Sequence, residues 1–245
     1  MTIALLAISS GIALIWASAE KLENYSVHAA REFGFSPFFI GSTVIAFGTS
    51  APEMLTTFFV SLENKGSMVI GNVIGSNVAN LSLVFGSMLL IVSLKKLRIK
   101  QEVAIQKNLL ILLISGLLIW LIIAINPFNI ASSFILLTSL ILVISFWYKN
   151  GVSDENESDV NLPRYVSLKL TLSLVFLVFA AWLITFGANK ILDEFSLGEL
   201  FIGYTVLAIG TSLPEIAASV SLALKGRYET VSGTLIGSNI FNGLC

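Results

Sequence analysis

Seven stretches of this chain are each long and apolar enough to cross a lipid bilayer: roughly residues 2–19, 38–62, 68–94, 109–125, 128–148, 170–188 and 200–224. An eighth begins near Thr230 and continues to Cys245. A helix needs about 20 mostly apolar residues to span about 30 Å of hydrocarbon. None of the stretches shows the period-2 alternation of a membrane barrel strand. Composition agrees, because 56% of the 245 residues are hydrophobic and only 12% are charged. So little polar surface excludes a soluble globule, a disordered chain and a nucleic-acid binder that relies on a basic face. The single cysteine, Cys245, excludes a disulfide scaffold. The chain therefore reads as an all-α polytopic membrane protein.

Basic residues orient it. With the N-terminus outside, the cytoplasmic connections hold Lys21 and Arg31; Lys95, Lys96, Arg98, Lys100 and Lys107; Lys149, Arg164 and Lys169; and Lys225 and Arg227, which is 12 of the 14. Only Lys65 and Lys190 fall on the other side. The polar segment 149–165 carries Asp154, Glu155, Glu157 and Asp159 without EF-hand spacing, so it reads as a solvated cytoplasmic linker.

The chain also repeats itself. Shifted by 162 residues, 39–80 aligns with 201–242 without a gap, and 19 of the 42 positions are identical. One block is Phe-Ile-Gly-x-Thr-Val-x-Ala-x-Gly-Thr-Ser-x-Pro-Glu, at 39–53 and 201–215; the other is Ile-Gly-Ser-Asn-x-x-Asn, at 74–80 and 236–242. Generic apolar composition would repeat Leu and Val rather than Gly, Ser, Asn, Pro and Glu. The copies begin on the second and seventh spans, so they run in opposite directions through the bilayer. Inverted repeats of this kind build secondary transporters, with substrate sites at broken helices near the midplane. The expected organisation is a first five-helix repeat over 1–148, the linker at 149–165, and a second, incomplete repeat over 166–245. Two full repeats make ten helices in roughly 310 residues, of which about eight helices are present here.

Of the 15 acidic residues, only Glu53 and Glu215 lie well inside spans, at equivalent repeat positions. A carboxylate in hydrocarbon is costly and points to function. Each follows a proline by one residue, and proline cannot donate to the carbonyl four residues back, which is Gly48 for Pro52 and Gly210 for Pro214. Each helix should therefore break in mid-membrane. The first half then offers loose carbonyls to a cation, and the second half presents its positive N-terminal end to the glutamate. Thr49 and Ser50, with Thr211 and Ser212, place hydroxyls on the glutamate face. Ser76 with Asn80, and Ser238 with Asn242, do the same at i and i+4. Gly71, Gly75, Gly233 and Gly237 allow close helix approach. A site of two carboxylates, hydroxyls, amide oxygens and carbonyls, with no Cys or His, suits Ca²⁺ rather than a soft metal.

These residues resemble the sodium/calcium exchangers of the calcium/cation antiporter superfamily, in particular the prokaryotic members. Gly48-Thr-Ser-Ala-Pro-Glu53 with Gly75-Ser-Asn-Val-Ala-Asn80 is similar to the family's first α-repeat, and Gly210-Thr-Ser-Leu-Pro-Glu215 with Gly237-Ser-Asn-Ile-Phe-Asn242 to the second. The resemblance implies two inverted five-helix units exchanging Na⁺ for Ca²⁺ by alternating access in a prokaryotic cell membrane. It implies that Glu53 and Glu215 are the central Ca²⁺ ligands, assisted by Thr49, Thr211 and the carbonyls of Ala46 and Ala208. Ser50, Ser76, Ser212 and Ser238 would complete Na⁺ sites. Some members carry aspartate where this chain has Asn80 or Asn242, so the site here has two carboxylates rather than three. The expected substrates are Ca²⁺ and Na⁺, with no resident cofactor and no partner beyond membrane lipid. Two neighbouring carboxylates in a low dielectric repel, so Ca²⁺, Na⁺ and H⁺ each relieve the same repulsion and compete. Ca²⁺/H⁺ exchange is the nearest alternative, followed by a cation channel. An enzyme is disfavoured because no His-Glu-x-x-His motif or nucleophile–base pair is present.

Overall fold

A computed structural model describes residues 2–62, 66–96, 103–125, 129–151, 164–194 and 212–245. The described residues are almost wholly helical: α1 (Thr2–Phe33), α2 (Pro37–Ile40), a π-helical turn (Gly41–Ile45), α3 (Ala46–Thr49) and α4 (Ala51–Leu62). Then come α5 (Gly66–Ala79), a second π-helical turn (Asn80–Val84), α6 (Phe85–Leu94), α7 (Val103–Ile125) and α8 (Ile130–Asn150). The chain continues with α9 (Val166–Glu194), α10 (Leu213–Leu224) and α11 (Tyr228–Leu244).

Five of these helical runs are long and apolar enough to cross a membrane, and Pro37–Thr49 with Ala51–Phe58 makes a sixth that is bent by 47°. Large apolar side chains cover their outer faces. Ile125 is 83% exposed, Ile130 76% and Leu113 70%, a surface that only lipid can solvate.

Among the described residues, six of the expected spans are recovered with different ends. α1 continues through residues 20–33, expected as a loop. Nothing breaks the helix before Gly34, whose φ of +66° ends it, and Leu22, Ser26, Ala29 and Ala30 supply a buried face. α9 likewise runs from 166 to 194 rather than 170 to 188. Of the expected span 200–224, the described part is α10, preceded by Ser212.

α1 and α9 pack along each other as an antiparallel pair. Gly11 lets the carbonyl of Ala180 within 3.0 Å of where a Cβ would stand, and Gly187 does the same for the carbonyl of Ala4 at 2.7 Å. The core lies elsewhere, around α11, whose residues 230–244 are nearly all buried. α11 touches α2, the first π turn, α3, α5, α7, α8 and α10. Its close seat on α2 and α3 needs glycine. A Cβ on Gly233 would press on the Phe38 carbonyl and come within 3.0 Å of the Ser42 amide. One on Gly237 would press on the Ser42 carbonyl and come within 2.7 Å of the Ala46 Cβ. Gly71 and Gly75, the repeat counterparts, meet no described neighbour within 4 Å. Residues 200–204, the counterparts of the α2 surface, lie outside the described residues.

Candidate cation site

The two glutamates owe their positions to matching helix starts, at Ala51 and Leu213. Ser50, between α3 and α4, has φ −83° and ψ 0°; Ser212, its repeat counterpart before α10, has φ −84° and ψ −1°. After each serine the ladder runs in the same way, with Met54 N–H donating to the Ser50 carbonyl and Ile216 N–H to that of Ser212, both at 3.1 Å. Pro52 and Pro214 fall in the first turn of the new helix, where a missing N–H leaves nothing unpaired. Glu53 and Glu215 follow directly, in the first turns of α4 and α10, beside the positive helix ends.

Both carboxylates are enclosed. Glu53 is 2% exposed and Glu215 1%, and they are close enough to interact electrostatically. The Ser50 hydroxyl donates to Glu215 Oε1 at 2.9 Å, so a residue of the first copy holds the carboxylate of the second. Sequence spacing put Ser50 on the face of its own glutamate and did not anticipate this crossing.

Thr49, Ser50, Ser76, Asn80, Ser212, Ser238, Asn242 and Ala46 are all buried with them. The Thr49 hydroxyl donates to the carbonyls of Ile45 at 3.0 Å and Ala46 at 3.3 Å, and the Ser76 hydroxyl to that of Val73 at 3.2 Å. Spending the proton on the backbone leaves the hydroxyl oxygen's lone pairs for an ion. The Ala46 carbonyl also accepts the Ser50 amide at 2.9 Å. Thr211 and Ala208 lie outside the described residues.

Several buried polar atoms have no protein partner: Glu215 Oε2, the hydroxyls of Ser212 and Ser238, and both side-chain amide atoms of Asn80 and Asn242. Leaving one such atom unpaired costs about 1–3 kcal/mol. Unpaired buried oxygens on the repeated motif residues fit a site whose remaining partner is a bound ion or water. Among the described residues no three His, Cys, Asp or Glu side chains converge. Neutral oxygens therefore have to complete any coordination shell, which is the chemistry of a hard cation that takes 6–8 oxygens at about 2.3–2.6 Å.

Two features of the site leave no mark in the repeated motifs. One is the pair of π turns, just before Ala46 and beginning at Asn80; each adds a residue to its turn and re-aims the side chains beyond it, as such turns often do at functional sites. The other is Asn72, whose side-chain amide donates to the Glu53 backbone carbonyl at 3.2 Å and to the Thr57 hydroxyl at 2.8 Å. Its repeat counterpart is Thr234, so the repeat does not single it out. Asn77 and Asn239 do belong to the repeated block, and each keeps a buried side-chain oxygen without a partner.

The family model described as sodium/calcium exchanger protein matches residues 3–149 and 166–245. The chain belongs to this family. Its relatives include membrane protein MJ0091 of Methanocaldococcus jannaschii, 34% identical over 94% of this chain and 75% of that protein. The sodium/calcium exchanger MaX1 of Methanosarcina acetivorans is 26% identical over 99% of this chain and 81% of its own length. Among solved structures, the sodium-calcium exchanger NCX_Mj superposes with a TM-score of 0.87 at 32% identity, covering 99% of this chain and 80% of that one. The chain is thus a multi-pass membrane protein with the NCX_Mj transporter fold, in a family of antiporters rather than enzymes.

Proposed function

We propose that this antiporter exchanges Na⁺ for Ca²⁺ by alternating access, at a midplane site shared by a five-helix unit over 1–148 and the inverted, incomplete second repeat over 166–245. The observation that carries this is the pair of enclosed glutamates in the first turns of matching helices, joined across the repeats by Ser50. Ca²⁺ neutralises both carboxylates. Thr49, Thr211 and the carbonyls of Ala46 and Ala208 complete its shell, and Ser50, Ser76, Ser212 and Ser238 with Asn80 and Asn242 supply oxygens to Na⁺. A pocket holding two bare carboxylates resists crossing a low dielectric, whereas a loaded one does not. Occupancy therefore gates the rocking of one unit against the other, and Ca²⁺ and Na⁺ displace one another because both relieve the same repulsion. The relatives named sodium/calcium exchangers support Na⁺ as the driving ion; H⁺ in its place is the second candidate. The distribution of basic residues supports an N-terminus outside a prokaryotic cell membrane.

The test is ⁴⁵Ca²⁺ uptake into proteoliposomes under separately imposed Na⁺, H⁺ and K⁺ gradients. An outward Na⁺ gradient should drive uptake, and Glu53→Gln should abolish it. Undiminished Na⁺-driven uptake in that variant would overturn the assignment, and uptake driven by H⁺ alone would replace Na⁺ with protons.

A further inference from the structure

The groove between α1 and α9 has no part in the cation site. It encloses about 300 Å³ and grades from polar to apolar along its length. At one end stand Lys21 and Tyr25 of α1 and Lys169 of α9, with the Lys169 ammonium 5.7 Å from the centre of the Tyr25 ring. Leu172 of α9 lies one turn from Lys169, Ser18 and Ser173 line the middle, and Leu14 of α1 with Phe176 of α9 line the other end. Seven residues separate Lys21 from Leu14, and seven separate Lys169 from Phe176, so along each helix the groove extends about 10 Å from the lysine's backbone position at 1.5 Å per residue. No acidic side chain among the described residues lines it. Beside its walls the surface is that of a lipid-facing helix pair, with Trp16, Leu168 and Val175 each more than half exposed.

We propose that this groove binds one anionic phospholipid, with its phosphate between Lys21 and Lys169 and an acyl chain along Leu14, Leu172 and Phe176. Two cations lining a groove with no acidic wall residue call for an anion. An apolar trough directly beneath them, open to lipid, calls for a hydrocarbon tail on that same anion. Basic pockets between transmembrane helices recognise anionic headgroups in this way. The Tyr25 ring holds the Lys169 ammonium over its face and keeps it at the mouth of the groove. Basic residues cluster at this end of the chain's helices, so the lipid belongs to the leaflet that the positive-inside asymmetry makes cytoplasmic. The site stands apart from the exchange mechanism and its test does not depend on transport.

The experiment is native mass spectrometry of the detergent-solubilised protein titrated with dioleoyl-phosphatidylglycerol and, separately, dioleoyl-phosphatidylcholine. With each lysine worth about a factor of five toward an anionic lipid, the wild type should retain phosphatidylglycerol about 30-fold more tightly than phosphatidylcholine. Lys21→Gln with Lys169→Gln should bring the two lipids to within a few-fold of each other, and Lys149→Gln, outside the groove, should leave the preference intact. Ala17→Trp keeps both lysines but fills the groove from an exposed wall position. It should weaken phosphatidylglycerol retention as well, so the proposal stays testable even if the double variant misfolds. Equal retention of the two lipids by the wild type would overturn the proposal. So would wild-type retention in either groove variant, or displacement of the lipid by millimolar glycerol phosphate, which would make the site one for a soluble anion.

Discussion

Replacing glycine by alanine should have opposite consequences at Gly237 and at Gly116, because the two positions differ in what a methyl group would meet. At Gly237 it presses on the Ser42 carbonyl and lies 2.7 Å from the Ala46 Cβ. Carbon–carbon contacts settle at about 3.5–4.0 Å, so α11 has to withdraw from α2 and α3 by about 1 Å. Both neighbours offer rigid helical backbone or a Cβ, so no rotamer change can absorb the shift. Overpacking of this kind costs about 1–3 kcal/mol, or about 3–10 °C in apparent melting temperature for a chain this size. At Gly116, in mid-α7, the added methyl meets nothing within 4 Å. There it removes the conformational cost of glycine, about 0.5–1 kcal/mol, and raises the melting temperature. Ser238 adjoins Gly237, and a displacement near 1 Å is large against Ca²⁺–oxygen distances of about 2.3–2.6 Å. Gly237→Ala should therefore also cut Ca²⁺ uptake at least about ten-fold, while Gly116→Ala leaves it unchanged. The readouts are a thermal-shift assay on purified protein and ⁴⁵Ca²⁺ uptake in proteoliposomes. A Gly237→Ala protein that melts and transports like the wild type would refute the reasoning, because the helices would then have slack that the geometry denies.

Ser50→Ala removes the hydroxyl that holds Glu215; a hydrogen bond to a charged group contributes about 1.5–3 kcal/mol, so half-maximal Ca²⁺ concentration for uptake should rise about 10- to 100-fold. An unchanged value would mean that the bond does not orient the carboxylate in the working site. Asn72→Ala removes the brace on the Glu53 carbonyl and Thr57→Val removes the hydroxyl that anchors the same amide, so their combined effect on thermal stability should fall short of additive, and strict additivity would dissolve the brace. Asn242→Asp adds a third carboxylate, taking the Ca²⁺-loaded site from neutral to one net negative charge. Its uptake should respond to an imposed K⁺-valinomycin potential more steeply than that of the wild type, and identical voltage responses would show that residue 242 does not share the ion's field.

Legibility in the sequence followed the range of the interaction concerned. The helix break before Pro52 is plain from residues alone, because proline's missing N–H is a local covalent fact, and the repeat places Pro214 at the matching helix start. Burial of Glu53 and Glu215 is equally plain, since no other acidic residue sits so deep in an apolar run. The extension of α1 to Phe33 is not, because hydropathy marks where a helix leaves hydrocarbon and says nothing about where it stops being a helix; only Gly34 marks the end. The π turns leave no signal in composition, since a residue added to one turn shifts the hydrogen-bond register without requiring a particular residue type. Asn72 escapes for a different reason: it braces only one copy, and a search for repeated residues discards what is not repeated.

Two kinds of contact hold the site, and they answer to different motions. The Glu53 backbone is fixed within its own repeat, by Asn72 on the neighbouring helix α5. The Glu215 side chain is fixed from the other repeat, by Ser50. The glycine seats belong to the second kind, because Gly233 and Gly237 of the second copy lie against Phe38, Ser42 and Ala46 of the first. So does the edge-to-face pair Phe47–Phe241, with ring centres 5.5 Å apart. Rocking of one repeat against the other would load the cross-repeat contacts, where the carboxylate and its hydroxyl donor part or meet, and would leave the intra-repeat brace undisturbed. An ion that ties Glu53 to Glu215 would stiffen the same seam. A site split across two similar halves can in this way sense its own occupancy, which neither half could do alone.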